Sequence, residues 1–143
     1  MPSMTSDEAR EHFARARVAR LATADAEGRP HLVPVVFTLA GDTVALAVDH
    51  KPKSTTRLKR LANLRANPAL CLLVDHYDED WRHLWWARAD GTGHELPPPA
   101  QSEVAAGFLR LLTEKYRAQY TGSPPEGPVV EITVHRWTGW RAR

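Results

Sequence analysis

The chain has 143 residues, with 19 Lys and Arg against 17 Asp and Glu and a formal net charge of +2. That length suits one self-sustaining domain over residues 1–143, and so even a balance argues against a coat for nucleic acid or an anionic membrane surface. A single cysteine, Cys71, excludes an internal disulfide framework and any multi-cysteine zinc site, and no apolar run reaches the ~20 residues of a membrane-spanning helix.

Residues 5–17 read as a short helix, with Thr5 and Glu8 at capping-box spacing and Ala9, Phe13 and Ala16 on one face. Val18 to Ala24 reads as a strand closed by the turn Asp25-Ala26-Glu27-Gly28. His31 to Leu39 and Thr43 to Asp49 follow as strands around a reversal at Ala40-Gly41-Asp42, which together make an antiparallel meander. The second strand is apolar on both faces: Leu32 and Val36 share one, and Val33, Val35, Phe37 and Leu39 share the other. Something must cover both sides, and Pro34, with no N–H to give a ladder, marks a bulge, an edge or a place that a ligand approaches.

A helix is expected over 54–66, stopped by Asn67-Pro68. Ala69 to Tyr77 reads as a fourth strand and Leu84 to Thr92 as a fifth, separated by an acidic loop carrying Asp75, Asp78, Glu79 and Asp80. After Pro97-Pro98-Pro99, Val104, Phe108, Leu111 and Leu112 mark a helix running to about Tyr120, with Gly122 as its cap. The last strand starts at Val129 and alternates through Val130, Ile132 and Val134. About six strands with three helices suit a small antiparallel barrel.

Three of the four lysines lie between positions 51 and 60, and Lys51, Lys53, Arg57, Lys59 and Arg60 share that stretch with no acid. A helix start with hydroxyls at Ser54, Thr55 and Thr56 beside those cations has the makings of an anion site, although an ordinary solvated, capped helix face reads the same way. No Walker motif is present. The seven histidines lack H-x-x-x-H or H-x-H spacing, so no metal site is expected. Cys71 sits in an apolar strand as a small core residue, and no serine has a nucleophile-elbow context. Trp81, Trp85 and Trp86 flank the fifth strand. Trp137 and Trp140 end the chain, where core packing, an interface or a pocket wall are all open to them.

Taken in order, Ala19-Arg20-Leu21-Ala22-Thr23, Gly28-Arg29-Pro30-His31-Leu32-Val33-Pro34-Val35-Val36-Phe37, Arg60-Leu61-Ala62-Asn63-Leu64-Arg65-Ala66-Asn67-Pro68 and Ile132-Thr133-Val134-His135-Arg136-Trp137-Thr138-Gly139-Trp140 carry a resemblance over nearly the whole chain. The sequence resembles the pyridoxamine 5'-phosphate oxidase-like split β-barrel proteins, and within them the branch that uses the deazaflavin coenzyme F420. The resemblance implies a mainly β, FMN-binding split barrel and a homodimer with two cofactor sites at the subunit interface. It places the cofactor ring near Pro34, Val35, Val36 and Phe37 and its phosphate and tail on Lys51, Lys53, Ser54, Thr55, Thr56, Arg57 and Arg60. Trp140 belongs to the aromatic end that walls the pocket or the interface.

The activity so implied is hydride transfer between F420 and a small organic acceptor, with the proton left to His50, Tyr116 or solvent. FMN is the alternative cofactor. Five cations in ten residues suit a tail with a phosphodiester and several carboxylates better than one phosphate, and the strand before them lacks the basic residues typical of FMN oxidases. A non-catalytic binder of flavin, haem or a tetrapyrrole is the competing class. No nucleic-acid or membrane partner is expected, and the mixed polar N-terminus without a signal-peptide core points to the cytoplasm.

Overall fold

The computed structural model describes residues 3–48 and 55–143, with the side chains of the second stretch described from Lys59 onward. Helix α1 (Ser6–Arg15) begins as its sequence dictates. The Glu8 N–H donates to Thr5 Oγ1 at 3.1 Å and the Thr5 N–H donates to the Glu8 carboxylate at 3.0 Å, which satisfies two otherwise orphaned donors. The strands are β1 (Ala19–Ala24), β2 (Pro30–Val35), β3 (Thr38–Ala40), β4 (Thr43–Ala47), β5 (Ala69–His76), β6 (Trp85–Glu95) and β7 (Val129–Arg141). The helices α2 (Thr55–Ala66), α3 (Glu103–Lys115) and α4 (Arg117–Tyr120) complete the chain, with a single 3-10 turn over Trp81–His83. No described helix is long and apolar enough to cross a membrane.

All pairings are antiparallel, and the sheet runs β2-β1-β5-β6-β7-β4-β3. The sheet curls into a split barrel, mainly β in content. Its inner face is filled by Leu21, Leu72, Val74, Ala87, Val44, Leu46 and Ile132, with Phe13 of α1 packed 4.9 Å from the Phe37 ring and 5.4 Å from Trp137. A smaller cluster of Ala45, Ala105, Phe108 and Val129 lies where α3 covers the far side of β4. This second layer explains why Val44, Ala45 and Leu46 are consecutive and all buried.

The described residues form seven strands and four α-helices where six and three are expected. The second predicted strand divides between Val35 and Thr38, and the predicted helix to Tyr120 breaks at Tyr116, whose φ of −118° and ψ of 48° leave the helical region. One cause serves both changes. The Tyr116 hydroxyl takes the Phe37 N–H at 3.2 Å and lies 3.0 Å from the Phe37 and Arg17 carbonyl oxygens, so backbone groups that a continuous strand would pair are satisfied by a side chain instead. β6 and β7 also shift register at Asp90/Gly91. A Cβ on Gly91 would stand 2.2 Å from the Thr133 carbonyl oxygen, so only glycine fits that close approach.

The outer face of β1, β5 and β6 carries rows set by the register. Pro34, Arg20, Leu73, Arg88 and Thr138 form one, and Leu32, Ala22, Cys71, Asp90 and Arg136 the next. Leu32 is 67% exposed there.

Candidate functional site

β2 lies at one edge of the sheet, paired only with β1, and Pro34 stands opposite Arg20 in that pairing. The edge position accounts for its missing N–H in the sheet. Beyond Val35 the chain leaves the ladder, and the break before β3 opens a groove of about 340 Å3 lined by Val18, Pro34, Val35, Val36, Ala47, Arg60 and Tyr120. That volume is within the roughly 300–1,000 Å3 range of small-molecule sites. Its walls are aliphatic, Tyr120 supplies an aromatic edge, and Arg60 is the charged residue among the described residues of the lining. Ala47 precedes the basic run in sequence and Arg60 is its last cation, and both line this groove.

The structure thus brings together Pro34, Val35, Val36 and Arg60 of the residues singled out from the sequence. Phe37 does not join them. Once the chain turns off β2, its side chain points inward, fully buried against Phe13, and its backbone is held by Tyr116. Trp140 stands opposite Trp86 on β7 and is not part of this lining. Lys51, Lys53 and Ser54, like His50, lie outside the described residues, and so do the side chains of Thr55, Thr56 and Arg57 at the start of α2. Lys59 points elsewhere, 3.9 Å from Asp25 Oδ2.

Val18, Ala47 and Tyr120 were not legible as site residues, because they come from a loop, a strand end and a short helix that only the tertiary fold brings together. Tyr116 is no candidate proton donor in this arrangement. Its hydroxyl is committed to the Phe37 and Arg17 backbone, and burial pushes its pKa up. Cys71, expected in the core, instead lies half-buried in the outer row beside Asp90, and its thiol pKa is raised by burial first and by Asp90 second. His76 Nε2 and His83 Nδ1 both meet Asp78 Oδ2, at 3.0 and 3.2 Å, an arrangement that ties down the acidic loop.

The groove suits a flat ring with an anionic end. Apolar walls remove water from a ring's faces, a proline edge presents no donor that would need a partner, and a guanidinium at one end balances negative charge. Among the described residues, no carboxylate or histidine lines it.

A family model described as pyridoxamine 5'-phosphate oxidase matches residues 5–141. No curated protein sequence matches the chain. Among solved structures, a FAD-binding protein from Mesorhizobium loti aligns with a TM-score of 0.74 at 20% identity, covering 99% of this chain and 97% of its own. HutZ, the heme storage protein from Vibrio cholerae, aligns with a TM-score of 0.72 at 15% identity over 96% of each chain. The FAD-binding protein from Mycobacterium smegmatis aligns at 0.63 and 19% identity, covering 100% of this chain and 98% of that one. At these identities the likeness establishes the fold.

Proposed function

The chain belongs to the pyridoxamine 5'-phosphate oxidase family, and from that premise we propose that it is an oxidoreductase whose groove beside Pro34, Val35 and Val36 receives a flavin-type ring. The deazaflavin coenzyme F420 is the first choice of cofactor and FMN the second. The observation that carries the reading is the placement in one apolar groove of Ala47, which precedes the basic run, and Arg60, its last cation. The family resemblance assigns the anionic tail to Lys51, Lys53, Ser54, Thr55, Thr56 and Arg57, the run that ends at Arg60 in sequence. A flavin as the second choice is supported by the FAD-binding proteins that share the fold.

When bound, such a cofactor supplies two-electron hydride chemistry with a small organic acceptor. The chain's own residues supply orientation and a dry wall. Val18, Val35 and Val36 exclude water, and Arg60 fixes which end of the ring system enters first. The described residues of the lining include no carboxylate or histidine, so protonation is assigned to solvent or to His50. Storage of a tetrapyrrole is the second reading, favoured by the fold shared with the heme storage protein.

The site is further proposed to be completed by a second copy of the chain. The outer rows containing Leu32 and Leu73, with Trp86 and Trp140 beyond them, offer the surface for it. Titration of the purified chain with F420 and with FMN, followed by cofactor fluorescence, tests the cofactor assignment. Stronger quenching of F420 supports the first choice and stronger quenching of FMN the second. Quenching of neither, with hemin binding tightly, overturns the oxidoreductase reading.

A further inference from the structure

Lys115 is the last residue of α3, and its amine rests on aromatic rings. Nζ stands 3.8 Å from the centroid of the Phe37 ring and 5.3 Å from that of the Tyr116 ring. Arg17, from the segment between α1 and β1, comes to the same place. Its guanidinium carbon is 4.6 Å from the Tyr116 centroid, and its Nη2 donates to the Lys115 carbonyl at 2.8 Å. Two cations thus share one ring, and among the described residues no carboxylate pairs with Lys115.

A folded chain ordinarily leaves a lysine in water or gives it an acid. Lys59 shows the usual arrangement, with its Nζ 3.9 Å from Asp25 Oδ2. Lys115 is half-buried and meets a second cation instead. Ring faces attract an ammonium weakly compared with the hydration lost beside a like charge. Burial first and Arg17 second bring its pKa down to about 8, against an ordinary 10.5. The titratable groups set against it are Arg17 and the Tyr116 phenol, while Phe37 contributes only a ring. Desolvation and a neighbouring cation are the two conditions that turn a lysine into a nucleophile, and both meet here.

We infer that Lys115 is a modification site whose amine takes an acyl group from a small acyl phosphate, with Arg17 holding the phosphate that leaves. The Nζ lone pair attacks the acyl carbon and a C–N bond forms. The C–O bond to phosphate breaks with its electron pair, phosphate departs, and the extra proton on nitrogen goes to solvent. Nothing is oxidised or reduced. Arg17 gives one N–H to the Lys115 carbonyl, which leaves its other donors to a phosphate. The product is an uncharged amide, so the Phe37 ring loses its cation. None of this depends on the groove being a cofactor site.

The test incubates the full chain with acetyl phosphate at about pH 7.5 and follows acetylation of each lysine by peptide mass mapping. Lys115 should react about tenfold faster than Lys59, its larger share of neutral amine being partly offset by lower basicity. Arg17→Gln should slow acetylation of Lys115 by acetyl phosphate about tenfold, and Arg17→Lys should restore part of the rate. With the neutral thioester S-acetyl-N-acetylcysteamine, which releases no phosphate, Arg17→Gln should change the rate by about threefold or less. A pH profile on the parent chain needs no variant to fold. The Lys115 rate should level off above about pH 8, whereas the Lys59 rate keeps rising. Lys115 reacting no faster than Lys59, or a Lys115 rate still climbing beyond about pH 9, overturns the nucleophile. An equal effect of Arg17→Gln on both acyl donors overturns the preference for acyl phosphates.

Discussion

The Tyr116 hydroxyl accepts the backbone N–H of Phe37 at 3.2 Å, across 79 positions of sequence, and lies 3.0 Å from the Phe37 carbonyl oxygen. This contact holds the break between β2 and β3 and therefore shapes the wall that Val36 presents to the groove. Tyr116→Phe keeps the ring and removes the acceptor, which leaves a buried N–H unpaired. The expected cost is about 1–3 kcal/mol in urea unfolding, accompanied by weaker cofactor binding. Unchanged stability would mean that the strand break is held by packing alone.

Gly91 tests the sheet itself. An alanine Cβ there meets Thr133 backbone at 2.2 Å, and no side-chain rotation relieves a backbone clash. Gly91→Ala should lose about 2 kcal/mol or more, because β6 and β7 must separate at the register shift. Thermal denaturation of the two proteins checks it.

Acid sensitivity follows from Asp25. Hydrogen bonds from the Arg29 side chain at 2.9 Å and the Arg29 N–H at 2.9 Å, joined by the Glu27 N–H, hold its carboxyl at about 2, against an ordinary 3.8. Glu8 is likewise lowered to about 2 by the Thr5 N–H and by Arg141. For a carboxylate with a depressed folded-state pKa, the unfolded chain binds more protons, so its contribution is present above about pH 4 and is lost as the pH falls toward 2. Urea midpoints measured between pH 6 and pH 2.5 should fall, and Asp25→Asn should flatten that decline.

The outer sheet face predicts assembly. Leu32→Glu places a charge in the row shared with Ala22 and Cys71. Light scattering should find two 16.0 kDa chains for the parent protein and one for the variant. Equal masses would move the interface elsewhere.

Local signals in the sequence account for much of this fold. The Thr5 and Glu8 capping box, the turn at Ala40-Gly41-Asp42 and the stop at Asn67-Pro68 depend on neighbours a few residues away, and each stands where it was expected. The parity of β2 was also legible, with Leu32 outward and Val33 and Val35 inward. The broken strand and broken helix were not, since both follow from Tyr116 meeting Phe37, a pairing that no local pattern encodes. The same reason removes Phe37 from the groove and adds Val18, Ala47 and Tyr120 to it. Helix periodicity continues through Tyr116, and β propensity continues through Val36-Phe37. In each case a long-range hydrogen bond overrides the local preference.

The groove's role as a cofactor site is tested most directly by the F420 dissociation constant of the parent chain against that of Arg60→Gln, measured by fluorescence quenching alongside the FMN constant. Arg60 is the charged group among the described residues of the lining, so its loss should weaken whichever of the two cofactors the parent chain prefers by about tenfold while the fold remains intact. Affinity for that cofactor unchanged by the substitution would contradict the placement of the cofactor in the groove.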